Sequence, residues 1–151
     1  MFGMLLQSYV TSLQIFAVTL VGSLPLGIIV ALGRLSRFKP LSLFCQLVIS
    51  ILRGTPLMLQ MFAVFFVPYY VFGIQSGPSY IFVAVLIAFV INYSAYFAEI
   101  YRSGIQSMPL GQYEAAEVLG YSKRQAFFRI ILPQVIKRVL PAIGNEVVTL
   151  V

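Results

Sequence analysis

Four polar side chains interrupt or end the long apolar runs of this sequence, and they are its candidates for chemistry: Arg53, Asn92, Glu99 and Glu146. The chain has no histidine and a single cysteine, Cys45, so it offers neither a zinc site nor an internal disulfide. The sequence also lacks a glycine-rich phosphate loop and any pairing of a nucleophile with a base. We therefore expect no enzymatic activity, metal or cofactor, and the chemistry left is ion pairing, hydrogen bonding and contact with a polar solute.

Glu146 and Asn92 are the candidates for a solute path. Glu146 lies in the apolar run 139–151, and ionisable residues at membrane depth are costly and usually face a cavity or a partner. It either marks the path of a solute or stays near the inner interface with Lys137 and Arg138. For Asn92, a hydrogen bond between helices is favoured over contact with a substrate.

Arg53 and Glu99 stand at the two ends of the uncharged stretch 54–98. Arg53 either anchors at the membrane interface, with its stem along apolar surface and its charge in water, or contacts Glu99 or a partner protein. Glu99 can pair with Arg102 or with Arg53, and we interpret it as a structural ion pair.

The positions of the charges indicate what surrounds these side chains. No charged residue occurs over 1–33 or over 54–98, and the basic residues fall into two separate stretches. Because charge is excluded from hydrocarbon and cytoplasmic loops are rich in Lys and Arg, the pattern predicts a polytopic membrane protein with both basic stretches inside and the N-terminus outside. These residues are Arg34, Arg37, Lys39 and Arg53 in the first stretch, and Arg102, Lys123, Arg124, Arg129, Lys137 and Arg138 in the second.

Composition agrees with a membrane protein. The chain is 60% hydrophobic and 9% charged, with a mean hydropathy of +0.97, whereas a soluble domain has about 25% charged residues. The net charge of +6 is explained by the cytoplasmic bias of basic residues better than by nucleic-acid binding. No basic residue precedes the first apolar run, which argues against a cleaved signal peptide.

Three stretches are predicted to cross the membrane, at 11–32, 56–72 and 80–98. The first would reach about 33 Å as a helix, against a hydrocarbon core of about 30 Å. Turn-forming residues over Gly73–Ser79 separate the second from the third. The run 139–151 would reach only about 20 Å. We interpret it as the start of a further span in a truncated sequence, with a short re-entrant element as the alternative.

Two segments lie on the predicted inner side. Helical spacing of apolar residues over 40–53 predicts an extension of the second span along the inner interface. The segment 99–138 is the only long hydrophilic stretch, so a soluble partner would have to dock there. Within it, Glu114–Leu119 favours a helix, and Gly120 can adopt the left-handed conformation that ends one.

A second short helix is predicted directly after this glycine. Ser122 can begin it, and Gln125 follows at the spacing that a capping box requires. The helix is predicted over 123–132 and should end before Pro133. The two short helices would meet at a bend that we call the glycine knuckle (residues 114–132).

The glycine knuckle has three interpretations on these grounds. It can be a solvated loop that links spans, or a helix-turn-helix that binds DNA, or a coupling element that fits a groove on a cytoplasmic motor. Against DNA binding, its second helix carries mostly apolar side chains, which leaves few polar groups for base edges.

The knuckle resembles the EAA signature of the membrane subunits of ATP-binding-cassette importers, with matching spacing. The residues that carry this likeness are Glu114, Ala115, Ala116, Gly120, Ile130, Leu132 and Pro133. Three more segments are similar to the polar amino-acid branch of that family, so that the likeness covers about residues 7–151. They are Arg53-Gly54-Thr55-Pro56-Leu57, the stretch from Ala98 to Ser107 followed by Gly111-Gln112, and Gly144-Asn145-Glu146.

The resemblance implies an all-α, polytopic transmembrane bundle of the type I importer kind, with one domain over 1–151 that is truncated within the fourth or a later span. It implies a permease subunit of the bacterial inner membrane that translocates polar amino acids and works as a pair with an identical or related subunit. Two ATPase subunits would bind from inside, and an extracytoplasmic binding protein would deliver the solute. Arg53, Gly54, Thr55, Pro56 and Glu99 would form an inner-face motif.

The knuckle helix would be the coupling helix that enters a cleft on the ATPase. Small side chains at Ala115 and Ala116 are expected to permit close approach to that partner, and Gly120 supplies the backbone freedom of the bend. Two alternatives remain open: a permease for another small solute, such as methionine or a metal ion, and a membrane scaffold without transport. Lipid is an expected partner and nucleic acid is not.

Overall fold

A computed structural model of the chain describes residues 2–73 and 77–150, and every regular element in these ranges is helical. The all-α fold class predicted from the sequence is confirmed. The elements are α1 (Phe2–Arg34), α2 (Lys39–Gly54), α3 (Leu57–Phe72), α4 (Pro78–Gln106), α5 (Leu110–Val118), α6 (Lys123–Ala126), a π-helical turn (Phe127–Ile131) and α7 (Leu132–Leu150).

Helices α1 and α4 lie side by side and form the most extensive contact of the bundle. Gly22 approaches Val90 and Gly27 approaches Phe97, so the two helices run in the same direction. Small residues let helix backbones approach closely, which is a common way for helices to associate in membranes. The small buried residues are Thr19, Ser23 and Ala31 on α1 and Ala84, Ala88, Ala95 and Ala98 on α4.

Within residues 2–73 and 77–150, two helices are long and apolar enough to cross a membrane by length and composition, namely Gly3–Arg34 and Tyr80–Gln106. Helices α2 and α3 qualify as a third crossing only as a pair, and they are bent by 111° at their junction. With 16 residues, α3 alone reaches about 24 Å, which is less than the hydrocarbon core of about 30 Å. The predicted extension of the second span is therefore a separate helix, α2, that meets α3 at a sharp bend.

The segment on the predicted inner side differs from the sequence prediction. Helix α4 continues to Gln106, past the predicted end of its span, and α6, the π turn and α7 form one continuous helix over Lys123–Leu150. The predicted helix end before Pro133 is therefore wrong. The Leu132 N–H bonds to the Phe127 carbonyl five residues earlier, and we attribute the continuity to this wider turn, which gives the proline ring room that an α-helical turn would deny it.

The hairpin of α3 and α4 accommodates a proline in another way. Pro68 lies inside α3 and has no N–H with which to bond the Val64 carbonyl four residues earlier. The Tyr80 hydroxyl of α4 donates to that carbonyl at 3.1 Å, so the freed acceptor is satisfied by the neighbouring helix. Gly73 ends α3 in a left-handed conformation, with φ of 67°. The turn predicted over 73–79 lies partly on residues 74–76, which are outside the described ranges.

Candidate functional site

The glycine knuckle begins with α5, which ends in a Schellman turn. The Gly120 N–H bonds to the Glu117 carbonyl at 2.9 Å and the Tyr121 N–H to the Ala116 carbonyl at 3.0 Å. This pairing requires a left-handed residue just after the helix. Gly120 supplies it with φ of 78°, so the helix stop predicted at this glycine is confirmed.

The next helix begins with the predicted capping box. The Ser122 hydroxyl accepts a bond from the Gln125 N–H at 3.3 Å, and the Ser122 N–H donates to the Gln125 side-chain oxygen at 3.0 Å. Only Leu119, Gly120 and Tyr121 lie between α5 and this cap. Because both sides of the bend are fixed by hydrogen bonds to the backbone, the knuckle is an ordered corner that can transmit a displacement.

The two alanines of the knuckle face in different directions. Ala115 is exposed, whereas Ala116 is 1% exposed and packs inside the chain. The expectation that both alanines permit close approach to a partner is therefore wrong for Ala116, whose small size serves internal packing. Glu114 is exposed. The outer surface carries large apolar side chains instead: Leu110, Val118, Leu119 and Phe128.

A small core joins the knuckle to the membrane helices. Met108, Ile131, Val135 and Val139 are buried together there, and Gly104 of α4 lies directly against Val139 of α7. Fully buried apolar side chains contribute about 1.5–3 kcal/mol each relative to exposure. The corner is therefore packed onto α4 and α7.

Two polar contacts reinforce this attachment. The Gln134 amide donates to the Gln112 side-chain oxygen at 3.0 Å, which ties α7 to α5. The Arg138 guanidinium donates to the Ser107 carbonyl at 2.8 Å, which caps the end of α4. Both bonds join elements that are far apart in the sequence, so neither followed from local patterns.

The remaining members of the predicted coupling set lie on the helix that follows the bend. Ile130 packs against the core that joins the knuckle to the membrane helices. Leu132 is half-buried and Pro133 is exposed, at the point where the π turn passes into α7. The structure therefore places these three residues on the second helix of the knuckle and at its junction with α7, whereas Glu114, Ala115 and the large apolar residues form the outer surface.

A second polar cluster holds the bend between α2 and α3. The Asn92 amide of α4 donates to the Gln60 side-chain oxygen at 2.9 Å and to the Leu52 carbonyl at 3.2 Å. The Gln60 amide in turn donates to the Leu52 carbonyl at 2.8 Å and to the Thr55 hydroxyl at 2.9 Å. The predicted interhelical hydrogen bond of Asn92 is confirmed. Both its donor hydrogens are engaged, so its carbonyl oxygen is the group left for a solute.

The inner-face motif is divided between two contacts. Glu99 accepts a forked pair of bonds from Arg102, with 3.0 Å between Arg102 Nε and Glu99 Oε2, and the same guanidinium also bonds Gln106. The pairing of Glu99 with Arg102 is confirmed. Arg53 instead lies over the Tyr96 ring, 5.2 Å from its centroid, and forms no salt bridge with Glu99. Arg53, Gly54, Thr55 and Pro56 occupy the bend itself, where Thr55 and Pro56 are extended.

Glu146 lies well along α7, half-buried and within electrostatic range of the buried phenol of Tyr93. On one continuous helix it stands about 13 Å from Lys137 along the axis. No salt bridge joins Glu146 to a basic residue in the described part of the chain. The structure therefore does not bring together the predicted group of Glu146, Lys137 and Arg138.

Sequence reasoning missed Gln60, Tyr93 and Gln134 as members of these sites. Gln60 carried a usable signal, because it is a polar residue inside an uncharged apolar run, as Asn92 is. Tyr93 stands in an apolar run rich in aromatic residues and carried no such signal, and Gln134 looked like an ordinary surface residue. Their partners lie on other helices, so their roles depend on the packing.

Two helices of membrane length, a bent third pair and an ordered corner outside them define a polytopic helical membrane protein. Residues 23–151 match the family described as the binding-protein-dependent transport system inner membrane component. The chain belongs to this family and is an integral protein of the inner membrane. The resemblance to the membrane subunits of binding-protein-dependent importers is thereby confirmed.

Individual relatives agree with the family. The chain is 34% identical over 147 residues to the putative glutamine transport system permease protein GlnP of Rickettsia conorii, covering 97% of the chain and 66% of that protein. It is 36% identical over 146 residues to the arginine transport system permease protein ArtQ of Bacillus subtilis, covering 97% and 65%. A crystal structure of an amino acid ABC transporter with histidines matches with a TM-score of 0.83 and 37% identity, over 93% of the chain and 64% of the other. The chain thus spans slightly less than two thirds of the length of these relatives.

Proposed function

We propose that the chain is the transmembrane subunit of an importer of polar amino acids, driven by a separate ATP-binding subunit that docks on the glycine knuckle. The observation that carries the proposal is the capped, exposed corner around Gly120, joined by a buried core to α4 and α7. The glutamine and arginine permeases among its relatives support an amino acid as the solute, in preference to methionine or a metal ion.

The surface of the knuckle suits a protein partner. Leu110 and Val118 are 77% and 87% exposed, and Leu119 lies beside Val118 at the bend. An apolar cluster on a polar segment outside the membrane marks a protein contact. Because the chain has no phosphate loop, the energy of ATP must reach it as a displacement of this corner. A second permease subunit and an extracytoplasmic binding protein would complete the assembly.

The orientation follows from the same proposal, with the N-terminus outside and the knuckle inside the cell. It can be tested by cysteine labelling in a Cys45→Ser background. A cysteine at Gly3 should react with a membrane-impermeant maleimide in intact cells. One at Val118 should react only in inverted vesicles. Both positions are open, since Gly3 has no atom within 4 Å of an added Cβ and Val118 is exposed. The reverse labelling pattern would contradict both the orientation and the docking role.

We also propose that Glu146 and Asn92 mark the solute path. Tyr93, which lies within electrostatic range of Glu146, precedes Glu99 on α4 by six residues, about 9 Å along the axis. A half-buried carboxylate within an apolar run is costly unless it meets a cation or a polar cavity. Asn92, next to Tyr93 on α4, holds the bend between α2 and α3 and offers its carbonyl oxygen.

Uptake in proteoliposomes tests the function and the path together. The chain, the ATP-binding subunit and the binding protein from the same operon should accumulate radiolabelled glutamine or arginine when ATP is present on the knuckle side. Glu146→Gln should lower arginine uptake about tenfold or more, since a buried hydrogen-bonded charge contact is worth about 1.5–3 kcal/mol. Glu146→Asp keeps the carboxylate and is the matched control, so it should retain more arginine uptake than Glu146→Gln.

Each result separates the alternatives. If the chain fails to bind the ATP-binding subunit and supports no uptake of either amino acid, the scaffold interpretation stands and the importer proposal falls. If uptake of arginine is normal in Glu146→Gln, the solute path does not include Glu146.

A further inference from the structure

A cleft of about 410 Å³ opens between the ends of α1, α2 and α4, away from both the knuckle and Glu146. Its walls combine three guanidinium groups, from Arg34, Arg53 and Arg102, with the single carboxylate of Glu99. Gln46 and Ser50 of α2 line the same cleft, and with Arg53 they stand one turn apart along one face of the helix. The lining is therefore polar and carries an excess of positive charge.

The charges in this cleft are not balanced within the chain. Arg102 is already engaged by Glu99 and Gln106. Arg34 gives one N–H to the Ser42 hydroxyl at 3.0 Å, and Arg53 lies over the face of the Tyr96 ring. In the described ranges, neither Arg34 nor Arg53 forms a salt bridge. The guanidinium groups of Arg34 and Arg53 therefore line the cleft with N–H donors still available. Such donors suit the oxygens of a phosphate.

Helix C-termini normally repel anions, and α1 and α2 both end at this cleft. Here three carbonyls of those last turns already accept hydrogen bonds from side chains. The Arg34 carbonyl accepts from the Ser42 hydroxyl at 2.7 Å, and the Leu52 carbonyl accepts from Gln60 and Asn92. The Ile51 carbonyl accepts from the Thr55 hydroxyl at 2.8 Å. The C-terminal ends of α1 and α2 therefore repel an anion less than free helix ends would.

The outer surface of α2 continues the cleft with an apolar stripe. At 100° per residue, this stripe lies beside the polar face of Gln46, Ser50 and Arg53. A helix with such neighbouring faces lies at the boundary between headgroups and acyl chains. The stripe consists of Leu43, Phe44, Leu47 and Ile51, all of which are exposed.

We propose that the cleft binds a phosphate group, presented by an anionic phospholipid whose acyl chain lies along the apolar stripe of α2. The two arginines would hold the headgroup phosphate between the ends of α1 and α2 and so fix the bend toward α3 at the membrane surface. That this surface is the cytoplasmic leaflet rests on the orientation proposed above. The lipid contact itself depends on neither transport nor an ATP-binding subunit.

Native mass spectrometry of the detergent-purified chain tests the proposal, with phosphatidylglycerol and phosphatidylcholine as the lipid probes and inorganic phosphate as the soluble one. One phosphatidylglycerol should bind in preference to phosphatidylcholine, and Arg34→Gln with Arg53→Gln should weaken it about 10- to 30-fold, as expected for two basic residues near the membrane surface. Arg37→Gln with Lys39→Gln is the matched control, because both residues are exposed, carry the same charge and do not line the cleft. Circular dichroism and elution volume check folding.

If the double glutamine variant does not fold, Arg53→Gln alone serves, since Arg53 has only its ring contact to lose. If the Arg37 and Lys39 control loses as much phosphatidylglycerol binding, the lipid is attracted by basic residues in general. That result would overturn the site. Binding of inorganic phosphate with the same dependence on the arginines and no lipid preference would overturn the assignment to lipid. If the variant with both arginines replaced still binds the lipid but no longer binds an ATP-binding subunit, the cleft is a protein contact. That result would also overturn the lipid proposal.

Discussion

Replacing Gly27 by valine should separate α1 from α4 and lower the thermal unfolding midpoint of the detergent-purified chain by about 2–12 °C. An added Cβ at this position would lie 2.8 Å from the Phe97 Cβ, 3.2 Å from the Ser94 carbonyl oxygen and 3.3 Å from the Ala98 nitrogen. Two of these atoms are backbone, so a change of side-chain rotamer cannot relieve the clash. Overpacking of this kind destabilises by about 1–3 kcal/mol, and each kcal/mol shifts the midpoint of a chain of this size by about 2–4 °C.

The matched control is Gly144→Ala, compared with Gly27→Ala. Gly144 also lies inside a helix, but no atom outside its own helix turn is within 4 Å of an added Cβ. Alanine is favoured over glycine in a helix by about 1 kcal/mol, so Gly144→Ala should be neutral or stabilising. Gly27→Ala should destabilise despite the same helical preference. An unchanged midpoint and a monodisperse elution profile for Gly27→Val would contradict the close α1–α4 packing.

Local signals predicted the parts of the knuckle whose bonds close within a few residues. The Ser122 capping box and the stop at Gly120 depend on neighbours in the sequence, and both were predicted at the correct residues. The pairing of Glu99 with Arg102 is one helical turn long and was predictable for the same reason. Charge-free runs likewise predicted the two helices of the described ranges that are long and apolar enough to cross a membrane, because exclusion of charge from hydrocarbon acts on the whole stretch.

Features that depend on packing between helices were not predictable. Which alanine of the knuckle is buried depends on where α5 lies against α6 and α7, so Ala116 was assigned to the wrong side. The helix end expected before Pro133 follows from the usual effect of proline, which cannot donate a backbone hydrogen bond. The helix continues because the turn before Pro133 is π-helical, with the Leu132 N–H bonded to the Phe127 carbonyl. Gln60 and Tyr80 bond to groups on other helices, and only the three-dimensional arrangement brings their partners into reach.

Replacing Gly120 by valine should uncouple ATP hydrolysis from transport while leaving membrane insertion intact. The φ of 78° at this position is strained for a β-branched residue, at about 1–3 kcal/mol. The Schellman bonds would break to relieve that strain, and the corner between α5 and α6 would lose its fixed angle. A coupling loss of about 1–3 kcal/mol corresponds to about 5- to 150-fold. The measurement is stimulation of the ATPase by loaded binding protein in the reconstituted complex.

Two variants isolate the backbone angle from the side chain. Gly120→Asn adds a side chain at the same position but tolerates the left-handed conformation, so it should retain most of the stimulation. Gly3→Ala adds a methyl group on α1, away from the knuckle, at a site with no atom within 4 Å and no positive φ, so it should behave as wild type. If Gly120→Val retains full stimulation, the fixed corner does not carry the displacement. If Gly120→Asn loses as much as valine does, close approach of the partner to the glycine, rather than its backbone angle, sets the coupling.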